Sequence, residues 1–139
     1  MKTILRFVCA LLVTGIACAL PPSPVVRIQK IEGIVIELPK GGGQLYGFLK
    51  MSVTATTSPE DTKNLYSTIR RKTRIPIQDQ KRPKKDQVIL VVNPDDLPKG
   101  TKVGDKLRVL GYSLRGSDAG DENFDPQPFV ERIVLNPKD

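Results

Sequence analysis

Eight cations crowd one short stretch of this chain. Arg70, Arg71, Lys72, Arg74, Lys81, Arg82, Lys84 and Lys85 are opposed within it by Asp79 alone. Each cation brought against an anion releases counterions, so a run of this density is the footprint of a basic arm for an anionic polymer or membrane surface. It is equally the composition of a solvated loop that keeps a protein soluble, and both readings stay open. A second cluster is Tyr46, Phe48 and Lys50, which alternate along an expected strand. Two aromatics and a cation on one outer sheet face suit stacking with bases or sugars. They equally suit covering a neighbouring loop or strand edge.

Other chemistry is argued away residue by residue. Asp121, Asn123 and Asp125 alternate as in a calcium loop, but Pro126 stands where such a loop needs glycine and Arg132 where it needs the closing Glu. The segment Gly116 to Asp125 therefore reads as a solvated acidic hairpin loop. Asp95-Asp96 sits in a Pro-flanked turn, the setting of exposed carboxylates rather than of a tuned acid–base pair. Pro39-Lys40-Gly41-Gly42-Gly43 lacks both the Lys-Ser/Thr pair and the following helix of a phosphate cradle, and reads as a hairpin turn. With no histidine in the chain, a Ser-His-Asp triad, a Cys-His pair and His-ligated zinc are excluded. The sequence is read as non-enzymatic, with no cofactor and no metal.

The amino terminus carries a processing pattern over residues 1–19. Met1-Lys2-Thr3 gives a positive start, an apolar segment runs from Phe7 to about Leu20, and Ala17-Cys18-Ala19 fits a small-x-small cleavage site before Leu20. Two alternatives stay open. One is a membrane anchor, for which the segment is short against a span of about 20 residues. The other is lipidation at Cys18, since Ala17-Cys18 ends the apolar run as in a lipobox, although Gly15 stands where that motif has Leu. After cleavage before Leu20 both cysteines, Cys9 and Cys18, are gone, and the chain folds without disulfides. Loss of Lys2 and Arg6 leaves a net charge of about +5, which favours anionic partners. The expected location is periplasmic or secreted, or lipid-anchored in the cell envelope if Cys18 is modified.

Behind a Pro-rich spacer at 20–24, residues 25–139 suffice for one domain. Aromatic residues are 5% of the chain and Trp is absent, so the core must be built from Val, Ile and Leu. Twelve Pro and eleven Gly imply many turns, favouring a small barrel or sandwich. Val25 to Leu38 is a long first strand in which Val26 and Ile28 share a phase with Ile34, Ile36 and Leu38. Lys30 and Glu32 interrupt that phase, and a bulge or bend at Gly33 would account for the break; two short strands are the alternative. Leu45, Gly47, Leu49, Met51, Val53 and Ala55 alternate as the buried face of a second strand. Ser58-Pro59 starts a helix, with Asp61 completing a capping box and Leu65, Tyr66 and Ile69 forming an apolar stripe down to about Arg71. Ile75-Pro76-Ile77 either anchors the basic segment or forms a short edge strand. Gln87–Val92 is β-branched enough for a strand buried on both faces. Gly104-Asp105 gives a turn into an alternating strand from Lys106, and Gln127 to Leu135 is the last strand, stopped by Asn136-Pro137. Leu90 and Val109 are expected to be buried.

The run Val103-Gly104-Asp105-Lys106-Leu107-Arg108-Val109-Leu110-Gly111-Tyr112 resembles the start of the fourth strand of OB-fold barrels. More widely, Gln87–Gly116 is similar to part of the small secreted bacterial OB-fold proteins of the BOF family. There too a strand leads through an acidic, Pro/Lys/Gly-rich connector into a Gly-Asp-Lys-hydrophobic strand ending in Gly; Gly33–Leu38 aligns with that family's first strand. The departure is the helix and basic insertion, which stand where the family has a short turn. The order of elements, read with the resemblance, suits a mainly β fold: a small five-stranded OB-like barrel with one short helix inserted between strands two and three. The resemblance also implies a periplasmic protein of stress-related or ligand-binding role, and no reaction. Two function classes follow. One is a binding module for an anionic or oligomeric ligand, using the barrel face and the basic insertion. The other is an envelope assembly or interaction protein docking through a strand edge. The expected partners are an anionic polymer, nucleic acid among them, an anionic envelope surface or an envelope protein; membrane contact follows if Cys18 is lipidated.

Overall fold

The computed structural model describes residues 24–40, 45–72, 77, 80–115 and 128–138, with backbone alone for Pro24 and Lys72. The expected signal, the spacer at 20–23, the glycines at 41–43, Arg74, Ile75-Pro76 and the acidic segment at 116–125 lie outside the described residues. Of the described residues 49% are in strands and 18% in helices, so the fold is mainly β. The elements are β1 (Pro24–Glu37), β2 (Gly47–Thr56), α1 (Pro59–Lys72), β3 (Gln87–Val92), β4 (Lys106–Arg115), β5 (Pro128–Phe129) and β6 (Arg132–Leu135), with a 3-10 turn at Pro94–Asp96. The helix lies between β2 and β3, as the capping and periodicity signals require.

All strand pairs are antiparallel. The sheet runs β3-β2-β1-β4-β5, and β6 pairs with the same strand, β4, as β5 does. Length is what lets β1 sit at the centre. Its second half, Ile31 to Glu37, pairs with β2, while Pro24 to Ile34 pairs with β4. The two ends of the path, β3 and β5, come close to one another, with no ladder between them among the described residues.

β1 is continuous, so the two-strand alternative falls. The bulge expected at Gly33 is present, as a register shift against β2 between Glu32 and Gly33, and a second shift follows between Val35 and Glu37. At Gly33 the missing side chain matters, because a Cβ there would stand 2.5 Å from the Ser52 carbonyl oxygen. The buried phase, however, differs from expectation. Val26 and Ile28 point inward, but the inward residues beyond are Ile31 and Val35, and Ile34 is 42% exposed. The same slip occurs opposite, where Leu107 and Val109 are buried and then Tyr112 and Leu114. Register between the strands is unbroken from Val26↔Leu114 to Ile34↔Lys106, so both strands turn over together near the Lys30↔Leu110 pair. Gly111 beside it has φ +63°, and a Cβ there would meet the Glu131 Cβ at 2.6 Å. That backbone conformation is open to glycine and costly for other residues.

The kink at Gly111 also splits the final strand. Instead of one strand over Gln127 to Leu135 there are two short ones, parted at Val130–Glu131, and Phe129 is 60% exposed. The Glu131 N–H donates to the Leu110 carbonyl at 3.1 Å, holding the outer chain against β4 at its bend. The sheet therefore has six strands rather than five.

Val88 to Val92 are all buried, and Leu90 and Val109 are fully so, as expected from β-branched density and alternation. In β2 the alternation holds over Gly47, Leu49 and Met51 and then fades. Ala55 and Leu45 are exposed, because the bulge against β1 turns one end of the strand outward and the other end lies beyond the ladder.

Two polar devices complete the sheet. The buried Tyr112 hydroxyl donates to the Val91 carbonyl at 3.1 Å and accepts from the Val91 N–H at 3.2 Å. One side chain from β4 thus satisfies both backbone groups of a β3 residue, in a strand whose one ladder partner among the described residues is β2. Burial pushes the phenol pKa well above its ordinary value, so it stays protonated and able to donate. Glu32 and Arg108 are direct cross-strand partners, and Arg108 Nε donates to Glu32 Oε1 at 2.6 Å. That hydrogen bond, opposed by desolvation and aided by the charges of Arg108, Lys30 and Lys106, holds the Glu32 carboxyl below its usual range.

Candidate functional site

α1 begins on a hydroxyl relay. Thr62 Oγ1 donates to the Ser58 carbonyl at 2.7 Å and sits 2.8 Å from Thr56 Oγ1, so the proton between the hydroxyls comes from Thr56. Thr56 Oγ1 also accepts from the Ser58 N–H at 3.2 Å. The expected capping box is thereby corrected: the Ser58 amide donates to Thr56 rather than to the Asp61 carboxylate. Glu60 and Asp61 still occupy the first turn, where negative charge suits the helix dipole. Thr62, Leu65 and Ile69 form the buried face, against β3 and β1. Burying Leu65 and Ile69 stabilises the docked helix by about 1.5–3 kcal/mol each.

Past the helix the chain returns to β3 along α1. Ile77 is fully buried, which favours the anchor reading of Ile75-Pro76-Ile77. The Gln80 N–H donates to the Ile77 carbonyl at 2.9 Å. The Tyr66 hydroxyl then donates to the Gln80 carbonyl at 3.1 Å, tying the return segment to the helix two residues before Arg82. Lys84 and Gln87 close the turn into β3, with the Lys84 N–H on Gln87 Oε1 at 3.2 Å.

This folding-back creates a concave basin of about 560 Å³, open to solvent and lined by Asn64, Tyr66, Ser67, Arg70, Arg71 and Arg82. Three guanidinium groups share it, with no carboxylate among the described lining residues. Arg71 Nε donates to the Ser67 carbonyl at 3.3 Å, which orients that guanidinium on its own helix and leaves the four N–H groups of its two terminal nitrogens to supply further donors. The basin lies beside the carboxyl-terminal half of α1, where the helix dipole is negative. Attraction for an anion must therefore come from the arginines themselves.

Of the eight cations in the basic stretch, the fold brings Arg70, Arg71 and Arg82 together. Lys81, Lys84 and Lys85 are exposed and lie outside the lining; the Lys72 side chain and Arg74 lie outside the described residues. Tyr46 and Phe48 are half-buried and pack against the core, with Lys50 half-buried between the same strands. They take no part in the basin. Asn64, Ser67 and the wall position of Tyr66 went unread in the sequence. Their signal is the helical spacing of Asn64, Ser67 and Arg71 beside the expected apolar stripe, which puts three polar groups on one flank.

Asp95 and Asp96 are exposed on their 3-10 turn, whose start is fixed by Asn93 Oδ1 accepting from the Asp95 N–H at 3.0 Å. Among the described residues no three acidic, Cys or His side chains stand together to hold a metal. No helix among them is long and apolar enough to cross a membrane. Compared with protein-family models, curated proteins and solved structures, the chain has no match.

Proposed function

We propose that this protein is a non-enzymatic binding module of the cell envelope, periplasmic or secreted, that captures an anionic ligand in the arginine basin of α1. The observation that carries this reading is the convergence of Arg70, Arg71 and Arg82 around one concavity with no carboxylate among its described lining residues. Cations that merely solvate a loop have no reason to share a basin. The scaffold is read as an OB-like barrel. In support, joining the ends of the path β3-β2-β1-β4-β5 gives a closed five-strand cycle, and β3 and β5 already approach each other. The Tyr112 hydroxyl bonded to Val91 also weighs against β3 as a docking edge, since part of its backbone is already engaged from within.

The test is binding to heparin, single-stranded DNA and anionic vesicles at low and high salt. The native protein is compared with a variant carrying Gln at Arg70, Arg71, Lys81, Arg82, Lys84 and Lys85. The variant should lose most binding and its salt dependence while melting as the native protein does, because exposed charges contribute little to stability. Unchanged binding in the variant, or a native interaction indifferent to salt, would remove this segment as the site.

A further inference from the structure

Resting on that reading, we infer that the basin takes a terminal tetrahedral oxyanion, phosphate or sulfate, carried on a hydroxylated ring such as a sugar unit. The described cations of the lining are all arginine, whereas the described lysines of the same stretch, Lys81, Lys84 and Lys85, stay outside. A guanidinium presents a planar fork of donors that matches two oxygens of a phosphate or sulfate at once; an ammonium acts as a point charge. Arg71 is oriented by its bond to Ser67, so part of the ordering cost is met before a ligand arrives.

The size of the basin suits a single bound unit rather than a tracked polymer. A basin of about 560 Å³ falls in the range of small-ligand sites, larger than one bare oxyanion fills. The other described lining residues are neutral and suited to a sugar. Asn64 and Ser67 can exchange hydrogen bonds with hydroxyls. Tyr66 has its own hydroxyl committed to Gln80, which leaves its ring as an apolar wall. A phosphodiester backbone, with a single charge per unit and neighbours on both sides, is a poorer match to three convergent forks than a terminal group.

The experiment is calorimetric titration of the full chain with glucose 6-phosphate, glucose 6-sulfate, glucuronate and inorganic phosphate. Both esters should bind about tenfold or more tightly than glucuronate, and more tightly than inorganic phosphate. The two sources separate by pH. Phosphate gains its second charge near pH 6, so only the phosphate ester should tighten between pH 5 and 7.5. A variant with Lys at Arg70, Arg71 and Arg82 keeps the charge and removes the forks. Ester binding should fall about tenfold in it, with the melting temperature unchanged as the control for folding. Glucuronate binding as tightly as the esters, or full ester binding by the Lys variant, overturns the inference. If heparin then still binds in a salt-dependent manner, the broader anion-binding reading survives; if neither esters nor heparin bind the native protein, both fall.

Discussion

β3 and the segment that leads into it differ in what fixes their positions. In β3 every residue from Val88 to Val92 is buried, and each side chain is placed by the apolar surface it removes from water. From Ile69 to Lys85 the described anchors are few: Ile69 and Ile77 in the core, and one hydrogen bond from Tyr66 to Gln80. Burial spread over a whole strand tolerates no charge anywhere along it. Three point anchors fix where the described residues run while leaving the described cations facing solvent, and two of the anchors bring Arg82 back to Arg70 and Arg71. The core is thus specified by residue type, and the basin by where a few residues pin the chain.

The largest effect that would test this contrast is a charge in the dense region. Val109→Asp and Leu90→Asp each place a carboxylate at a fully buried site. Each should cost about 4 kcal/mol or more and leave little soluble protein. Near-native denaturation midpoints would mean that burial in β3 and β4 does not hold the fold.

The same contrast explains what could be read from residues alone. β3 was legible as an unbroken β-branched run, which places Leu90 inside whatever its phase, and β4 and α1 were legible because burial on one face imposes periodicity, which places Val109, Leu65 and Ile69. The phase slip was not. Ile34 looks as apolar as Ile31, and only the paired turnover at Gly111 decides which of them faces inward. The division of the last strand has the same origin, since a positive φ in β4 leaves no mark on the residues opposite it. The basin was half legible: the eight cations were plain, but which three converge depends on the Tyr66–Gln80 bond. A hydroxyl-to-carbonyl contact has no periodic signature.

Next in size is Tyr112→Phe. The ring's volume is kept, but the Val91 N–H and carbonyl lose a buried partner. The expected cost is about 1–3 kcal/mol, read as a lower denaturation midpoint. Amide exchange at Val91 should rise more than at Leu90. A midpoint equal to the native one would show that the Val91 groups find other partners when the hydroxyl is gone, and that the tie between β4 and β3 is dispensable.

A smaller effect should appear only in acid. The Glu32 carboxyl is held below its ordinary value of 4.5, mainly by the Arg108 hydrogen bond. An acid with a lowered folded-state pKa binds its proton more readily when unfolded. Its contribution to stability is therefore complete above the unfolded value and is lost as pH falls from about 4.5 through the lower folded one. Glu32→Gln should remove that component, giving a shallower fall of melting temperature with acid below pH 4.5. An unchanged acid limb would mean that the Glu32–Arg108 pair contributes nothing net to the joint between β1 and β4.

The smallest effect sharpens the comparison within the basic stretch itself. Lys81, Lys84 and Lys85 are exposed and outside the basin, so they act on a bound anion only through solvent. At physiological ionic strength such a field is screened over about 8 Å, and at 0.01 M salt over about 30 Å. Replacing all three by Gln should change the affinity for glucose 6-phosphate by no more than about twofold at 0.15 M salt, and by more at 0.01 M. Melting should not move. Gln at Arg70, Arg71 and Arg82 removes the same formal charge, yet should abolish most binding at either salt concentration, because the donors that touch the ligand are gone. Equal losses in the two triple variants would mean that charge density alone attracts the ligand and that the pinning of Arg82 beside α1 is incidental. Unequal losses, with the lysine variant sensitive to salt and the arginine variant defective throughout, are what a built basin inside a diffuse basic surface requires.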